Sequence, residues 1–458
     1  MAEPRVIIVG AGPAGTRAAE ALVRAGLRPM VIDEGQRSGG QIYRRQPEGF
    51  GRSYAKLYGT EAGRARDLHQ SFEALLPHID YRPETLVWNI ADQHVWWANA
   101  HDQDAAPFDA LIVCSGATDR LMPVLGWHHA GCYSLGGAQV ALKAQACAIG
   151  REIVFMGSGP LLYLVAAQYA AAGAKVAAVL DSAPASARVR AAPDMLALPS
   201  VLWNGIGLTL ALRKAGVPVL HGVTPVEIRG DADQGVTGLV YRTAGGDTRE
   251  IACDAVAMGH HLRSETQLAD LARCAFGFDP VSRQWLPQCD AEGRSSVPGV
   301  YLAGDGCRIR GARAAEAGGQ LAALAALADL GLAVDAAERA HLLDAMADYA
   351  RFARGLMRAF PWPQHQAASL PDAAMVCRCE AVTAGDLRQV VRETGAREAN
   401  RAKAFSRVGM GRCQGRYCGL AAAEVIAAEA RVPVESVGRL RAQAPVKPLS
   451  ISTGEDAA

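Results

Sequence analysis

The sequence has 458 residues, half of them hydrophobic, and its 47 basic and 46 acidic residues leave a formal net charge of +1. This length suffices for two or three domains, and the charge balance argues against binding nucleic acid or a membrane surface as the main role. Because the first apolar run begins at Val6 and leads into a glycine motif, we expect no secretory signal. The apolar segment 161–180 contains Gln168, Lys175 and an Ala-Ala-Gly turn, which indicates a helix and a buried strand rather than a membrane span.

The first predicted strand runs directly into a Gly-x-Gly-x-x-Gly motif and then into a helical stretch. In this context Gly10 makes the tight turn, Gly12 lets the backbone approach a pyrophosphate, and Gly15 lets the helix lie close to the strand. Pro13 and Ala14 stand at the start of that helix, where backbone N–H groups and the positive dipole end face the phosphates. The motif therefore predicts a dinucleotide site.

A second predicted strand ends at Asp33, at the distance from Gly15 at which an acid hydrogen-bonds a nucleotide ribose. Glu34 is a neighbouring acid that shares this assignment. A glycine motif alone would be weak evidence, but here the strand, the glycines, the helix and the acid all fall at the required spacing.

Three later segments favour FAD over NAD at this site. A Gly-Gly-Gln run follows the acid, a strand ends in Ser-Gly-Ala, and another strand ends in Gly-Asp before a helix from about Gly311. These segments resemble those of two-dinucleotide flavoprotein reductases. The resemblance implies that Asp305 holds the pyrophosphate and ribityl chain and that the following helix points at the flavin. Within these segments it implies FAD contacts at Gly40, Gln41, Ser115, Gly116, Ala117, Gly304 and Asp305. Val87 is a further expected FAD contact outside them.

A second strand–turn–helix unit begins near residue 152 and carries Gly157, Gly159 and Pro160. Its next strand ends at Asp181. Leu162 occupies the third glycine position, and such a side chain should hold the helix away from the strand. The unit predicts a second nucleotide-binding fold, whose ligand stays open between NAD(P), another adenine nucleotide and none.

The cysteine pattern argues against a disulfide-reductase mechanism. No Cys-x-x-Cys precedes residue 377, and Cys132 and Cys147 are far apart in the sequence. Cys307 follows the Gly-Asp turn with no evident partner. We therefore expect no catalytic dithiol.

Four cysteines are grouped near the C-terminus, as Cys377-x-Cys379 and, after a helical stretch, Cys413-x₄-Cys418. Four thiolates can hold a [2Fe-2S] cluster, whereas structural zinc prefers Cys-x₂₋₄-Cys pairs and is the weaker alternative. The grouping closely resembles the bacterioferritin-associated ferredoxin-like (BFD-like) [2Fe-2S] domain. Basic residues lie nearby and either raise the cluster potential or form a solvated face; they are Arg378, Arg401, Lys403, Arg407, Arg412 and Arg416.

The whole order of segments resembles the α subunits of bacterial heteromeric amino- and imino-acid dehydrogenases. That group includes opine and D-hydroxyproline dehydrogenases and the flavin subunit of hydrogen cyanide synthase. The predicted fold class is α/β, with two dinucleotide-binding (Rossmann-like) domains and a small, mainly helical [2Fe-2S] domain. The predicted divisions are an FAD domain (1–122 and 275–335), a second nucleotide domain (123–274), a helical linker (336–373), the cluster domain (374–440) and an extended tail (441–458).

This resemblance implies an FAD-dependent oxidoreductase subunit that works with a β subunit shaped like an amino-acid oxidase. The β subunit oxidises the CH–NH donor, so no catalytic residue is expected on this chain. Electrons pass through FAD and the cluster to a quinone, cytochrome or ferredoxin. The expected protein is a cytoplasmic hetero-oligomer, with a peripheral position at the inner membrane as the alternative. The competing functions are a self-contained NAD(P)H-dependent reductase, a redox-sensing adaptor and a hydrogen cyanide synthase subunit.

Overall fold

The computed structural model describes residues 3–449. Within this range no helix combines the length and the apolar character needed to cross a bilayer. The strands are β1 (Val6–Val9), β2 (Met30–Ile32), β3 (Asp80–Arg82), β4 (Leu86–Ala91), β5 (His94–Ala98), β6 (Gln103–Pro107), β7 (Ala110–Val113), β8 (Ala117–Asp119), β9 (Cys132–Ser134), β10 (Glu152–Ser158), β11 (Lys175–Asp181), β12 (Val219–His221), β13 (Thr224–Asp231), β14 (Gly235–Arg242), β15 (Thr248–Ala252), β16 (Ala255–His260), β17 (Leu262–Ser264), β18 (Phe276–Asp279), β19 (Gln284–Pro287), β20 (Val300–Leu302), β21 (Met375–Cys377) and β22 (Val382–Thr383).

Several of the α-helices begin where a capping residue or a proline favours the first turn. They are α1 (Pro13–Arg24), α2 (Tyr54–Tyr58), α3 (Ala62–Leu75), α4 (Leu135–Ala144), α5 (Pro160–Ala171), α6 (Ala185–Met195), α7 (Pro199–Lys214), α8 (Gln267–Leu271), α9 (Ala312–Asp329), α10 (Ala336–Ala359), α11 (Gln364–Ala368), α12 (Ala384–Thr394), α13 (Ala399–Ser406), α14 (Gly419–Ala430) and α15 (Val434–Val437). Asp335 caps α10, and Thr383 with Asp386 forms a capping box on α12.

The first domain is built on a parallel sheet in the order β20-β7-β1-β2-β3. Helices α1 and α9 cover one face, and the antiparallel β4–β5–β6 unit and α8 cover the other. Because both faces are buried, the strands are continuous apolar runs rather than alternating ones. A Cβ on Gly15 would lie 1.7 Å from the Gly10 carbonyl oxygen, so glycine is what allows α1 to lie against β1.

The second domain contains another parallel sheet, in the order β12-β11-β10-β16-β9, with an antiparallel β13–β14–β15 sheet beside it. Its core includes Phe155, Leu162 and Tyr169, all fully buried. The antiparallel pair of β8 and β17 connects the two domains. Helix α8 lies in the core of the first domain through Leu268 and Ala269, although the predicted division assigned residues up to 274 to the second domain.

Helix α10 follows α9 and lies against α6 of the second domain; a Cβ on Gly355 would come within 2.9 Å of the Asp194 Cβ. After α11, the β21–β22 hairpin and helices α12, α13 and α14 enclose their own apolar core. This architecture confirms the predicted fold class. The tail lies across the molecule as far as residue 449, and its predicted remainder, 450–458, lies outside the described residues.

Candidate functional site

Two glycine segments of the first domain face each other at the carboxyl ends of the strands. A Cβ on Gly40 would lie 3.0 Å from the Gly12 Cα, and a Cβ on Gly12 would lie 3.6 Å from the Gly40 Cα. Gly40 also has a φ of +60°, a conformation that favours glycine. The two segments thus form a cradle of bare backbone in front of the α1 N-terminus, which fits a bound diphosphate.

The cradle leads to a clean test, the substitution Gly12→Ala. Gly12 has an ordinary φ of −78°, and an added methyl group meets only Gly40 at 3.6 Å, so the fold should tolerate it. The methyl group would project into the diphosphate path. We expect the FAD dissociation constant, measured by fluorescence titration of the apoprotein, to rise at least about tenfold, or about 1.4 kcal/mol. Gly63→Ala, in open space on α3, is the control and should leave FAD affinity unchanged.

The Asp33 carboxylate binds the backbone of the glycine loop. It accepts hydrogen bonds from the backbone N–H groups of Ala11 and, at 2.6 Å, Gly35, while burial raises its pKa. Glu34 is exposed and forms an ion pair with Lys447 of the tail. Asp33 therefore fixes the glycine loop beside the cradle. Glu34 instead provides a contact point for the tail. Their predicted ribose contacts stay predictions.

Asp305 fixes the start of α9. Its Oδ1 accepts backbone N–H bonds from Arg310 at 2.9 Å and from Gly311, the N-cap of α9, at 3.1 Å. Burial raises the pKa of this carboxyl. Gly304, with a φ of +68°, brings the turn against Ala14 of α1, where an added Cβ would lie 3.0 Å from the Ala14 Cβ. The Gly-Asp turn therefore joins the first glycine motif to the helix predicted to face the flavin.

The other predicted FAD contacts occupy different environments. Gln41 is exposed and accepts a hydrogen bond from Arg44 at 2.7 Å. The Val87 side chain is buried in the core, so only its backbone can contact a ligand. Ala117 begins β8 and pairs with Ser264 of β17. These placements do not test the individual contacts, which stay predictions.

The four C-terminal cysteines converge between β21 and the N-terminus of α14. The Cys418 thiol is hydrogen-bonded to both Cys377 and Cys413, and Cys413 is also hydrogen-bonded to Cys379. The Cys418 contact, together with backbone N–H groups of Gly409 and Glu380, lowers the pKa of Cys377 to about 6. Backbone donors directed at sulfur are what thiolates and cluster sulfides require.

Glycines bring the two cysteine loops together. A Cβ on Gly411 would lie 2.2 Å from the Cys379 Cβ. Among residues 3–449, no three His, Cys, Asp or Glu side chains are arranged around a single metal-ion position. The convergence of four cysteines with backbone donors fits a [2Fe-2S] cluster, and the assignment of these cysteines as its ligands stays a prediction.

The Cys413–Cys418 loop lies directly against the Ser115–Gly116 segment that is predicted to contact FAD. Glu265 makes the connection. Its carboxylate pairs with Arg416 at 2.8 Å, its backbone N–H donates to the Gly116 carbonyl at 3.0 Å, and its carbonyl accepts from the Ser115 hydroxyl at 2.6 Å. Gln267 donates to the Gln414 carbonyl at 2.7 Å. One residue thus contacts both predicted cofactor segments.

Further contacts hold the cluster loop in place. Arg263 donates to the carbonyls of Gly415 at 3.2 Å and Arg416 at 2.9 Å. On another side of the domain, Arg283 pairs with Glu424 of α14 at 2.9 Å. Sequence reasoning missed Arg263, Glu265 and Gln267, because no motif marks them and their partners lie about 150 residues away along the chain.

The nearby basic residues are partly neutralised. Arg407 pairs with Glu380 at 2.8 Å, and Arg416 pairs with Glu265. Arg416 is buried, so its role includes holding the loop. The prediction of a solvated basic face therefore does not apply to this residue.

The turn of the second nucleotide fold is enclosed by the chain itself. A Cβ on Gly159 would meet the His261 backbone nitrogen at 3.1 Å, and the His261 ring lies 5.8 Å from the Phe360 ring at the end of α10. Leu162 is fully buried in the third glycine position. Pro160 is the first residue of α5.

Asp181, at the position of a ribose-binding acid, is fully buried, and its carboxylate is occupied by contacts within the protein. It forms an ion pair with Arg188 and accepts from the Tyr163 hydroxyl at 2.6 Å. The Arg188 guanidinium lies over the Phe360 ring, 5.0 Å from its centroid. Through Arg188, Asp181 therefore helps to hold Phe360, at the C-terminal end of α10, against this domain.

The structure corrects one expectation about cysteines. Cys307 does have a partner, since its Sγ lies 2.8 Å from the Sγ of Cys289. The two residues are 18 positions apart and match no redox motif, so no sequence pattern could have paired them.

Comparisons with known proteins agree with this geometry. Residues 4–320 match the pyridine nucleotide-disulphide oxidoreductase family, and residues 375–428 match the BFD-like [2Fe-2S] binding domain. These matches confirm the two predicted cofactors, FAD and a [2Fe-2S] cluster.

Individual relatives match nearly the whole chain. Over 98% of its length the chain is 37% identical to an opine oxidase subunit of Rhizobium meliloti, 86% of which is covered. Over the same share it is 32% identical to hydrogen cyanide synthase subunit HcnB of Pseudomonas aeruginosa, 97% of which is covered. The structure is similar to L-proline dehydrogenase from P. horikoshii, with a TM-score of 0.70, 17% identity, and coverage of 98% of this chain and 79% of that one.

Proposed function

Because the chain belongs to the pyridine nucleotide-disulphide oxidoreductase family and is homologous to subunits of opine oxidases, we propose that it is the electron-transfer subunit of a heteromeric amino- or imino-acid dehydrogenase. It is an FAD-dependent oxidoreductase subunit with a BFD-like [2Fe-2S] domain. FAD accepts electrons in pairs and a [2Fe-2S] cluster passes them singly, so a chain with both can connect hydride chemistry to one-electron acceptors.

The observation that carries this proposal is the contact of Glu265 with both predicted cofactor segments. Through its backbone it bonds to Ser115 and Gly116, and through its carboxylate it bonds to Arg416 of the cluster loop. The ion pair is buried, with only 9% and 10% of the two side chains exposed, so water is largely excluded from the contact. These residues hold the two segments at a fixed separation, as repeated electron transfer requires.

The partner in this proposal is a β subunit that resembles an amino-acid oxidase and removes hydride from the substrate C–N bond. The relatives' names support it, since opine oxidase and hydrogen cyanide synthase are described by subunits. The acceptor is a quinone, a cytochrome or a ferredoxin. The proposed location is the cytoplasm, because reduced cluster cysteines suit a reducing compartment, and a quinone acceptor would place the complex at the inner membrane surface.

The competing function is a self-contained NAD(P)H-dependent reductase. Two observations argue against a nicotinamide site. His261 and Phe360 enclose the Gly157–Gly159 turn. Asp181, at the position of a ribose-binding acid, forms an ion pair with Arg188. We therefore expect that NADH and NADPH, added anaerobically to the purified holoprotein, leave the flavin absorption unchanged over minutes, while dithionite bleaches it. Prompt bleaching by either nucleotide would favour the reductase.

The proposal itself is tested with the partner. This chain is coexpressed with the partner subunit of the R. meliloti opine oxidase. The purified complex is then offered opines, D-amino acids and cyclic imino acids anaerobically. We expect at least one substrate to reduce both the flavin and the cluster. Failure of every substrate class, in a complex that dithionite still reduces, would exclude the amine-dehydrogenase function.

A further inference from the structure

Cys289 and Cys307 form a close pair outside the cluster domain. Their sulfur atoms are 2.8 Å apart, beyond the roughly 2.05 Å of a disulfide bond but within hydrogen-bonding reach, and both are free thiols. Cys307 follows the Gly304–Gly306 turn and is buried, whereas Cys289 follows β19 and is half-buried. One reachable sulfur with a buried neighbour is the arrangement of an attacking and a resolving thiol.

The surroundings favour the thiolate of Cys289. Its hydrogen bond with Cys307 lowers the pKa of Cys289, and the charges of Arg308 and Arg310 add to this effect, whereas burial and the charge of Asp290 oppose it. The same contact and burial raise the pKa of Cys307. The attacking form therefore lies on the more accessible sulfur, and Cys307 keeps its proton until the second step.

A cavity gives small molecules a route to this pair. It has a volume of about 250 Å³ and is lined by both cysteines, Asp305, Arg308 and Arg310. Its wall carries the guanidinium groups of Arg308 and Arg310 and also the acidic residues Asp290, Glu292 and Asp305, so groups of both charges face the cavity. This suits a disulfide that carries both carboxylate and ammonium groups.

We propose that Cys289 and Cys307 are a reversible thiol–disulfide site that reacts with zwitterionic small-molecule disulfides of the glutathione class. In the first step the Cys289 thiolate attacks one sulfur of the disulfide and releases one thiolate, leaving a mixed disulfide on Cys289. In the second step Cys307 gives up its proton, attacks the Cys289 sulfur and expels the second thiolate. The protein pair is oxidised by two electrons, and the small disulfide is reduced to two thiols.

The bond would link two segments of the FAD domain. Cys307 is two residues from Asp305, whose carboxylate holds the Arg310 and Gly311 N–H groups at the start of α9. Oxidation would attach this turn covalently to the segment after β19. The site differs from the [2Fe-2S] ligands in place and in chemistry, because it lies in the family's flavin domain.

The test is a peptide map of the holoprotein after anaerobic incubation with oxidised glutathione. We expect one intramolecular disulfide, between the peptides that contain Cys289 and Cys307, with unchanged cluster absorption and complete reversal by dithiothreitol. In Cys307→Ala, glutathione should stay attached to Cys289, and in Cys289→Ala the disulfide and the adduct should both be lost.

Cys274→Ala is the matched control, because Cys274 is a buried thiol in the same apolar core and should not be needed. Absence of the Cys289–Cys307 peptide in the wild type at every glutathione ratio would overturn the proposal. So would a disulfide between Cys289 and Cys274, or a Cys307→Ala protein that carries no glutathione on Cys289. The wild-type map decides the question even if a variant fails to fold.

Discussion

Replacing Cys413 by serine should abolish the [2Fe-2S] cluster while FAD remains bound. Cys413 is hydrogen-bonded to both Cys418 and Cys379, and it begins the loop that meets Glu265 through Arg416. Loss of residues that only support a metal ligand costs 10–100-fold in affinity, so loss of a ligand should cost more than about 100-fold. The measurement is iron and acid-labile sulfide content together with the electron paramagnetic resonance signal of the dithionite-reduced protein.

The same variant should separate the two halves of electron transfer. In the complex with its β subunit, substrate should still bleach the flavin, but reduction of one-electron acceptors should fall in parallel with cluster content. Cys147→Ser is the control, because Cys147 is an exposed cysteine of the second domain. A Cys413→Ser protein with a full cluster signal would show that this residue is not a ligand.

The second large effect is expected at the domain contact, from Glu265→Ala. This change leaves the buried Arg416 guanidinium without its carboxylate and removes a compensating charge from the neighbouring, half-buried Arg263. Breaking a buried ion pair from one side costs about 3–5 kcal/mol. We therefore expect amide hydrogen exchange at residues 415–419 to accelerate by more than about 100-fold, which reports local opening directly.

Glu250→Ala supplies the comparison, because Glu250 pairs with Arg229 on the surface, where half of each side chain is exposed. Exposed pairs contribute about 0–1 kcal/mol, so exchange at the cluster loop should not change. Backbone bonds from residue 265 to Ser115 and Gly116 persist in Glu265→Ala, and FAD content should stay at the wild-type level. Unchanged exchange in Glu265→Ala would mean that other contacts, such as those of Arg263, hold the loop unaided.

The sequence alone predicted the parts of this protein that local chemistry determines. The Gly10–Gly15 motif, the Gly-Asp turn with its helix, and the two cysteine pairs each depend on spacing within one segment, so their elements were predictable. The parallel sheet also follows, because apolar strands alternate with helices. The ligand of the second nucleotide fold stayed open, because the sequence predicted only that Leu162 would hold the helix away from the strand.

The contacts between segments were not predictable. Glu265 and Arg416 are 151 residues apart, and nothing in either neighbourhood indicates that they meet. Cys289 and Cys307 come together only because β19 and β20 carry them to one corner of the first domain. Phe360 reaches the second domain because α10 packs on α6. In each case tertiary packing decides the partner, which a single sequence does not encode in any short pattern.

The path of the tail bears on how the protein is made. Val446 bonds to the Trp88 carbonyl at 3.2 Å and accepts from Arg416 at 2.7 Å, and Lys447 pairs with Glu34. A ribosome delivers about 5–20 residues per second, so β20 completes the first sheet many seconds before Val446 emerges. The last described residues then close against segments of the first domain that were synthesised long before them.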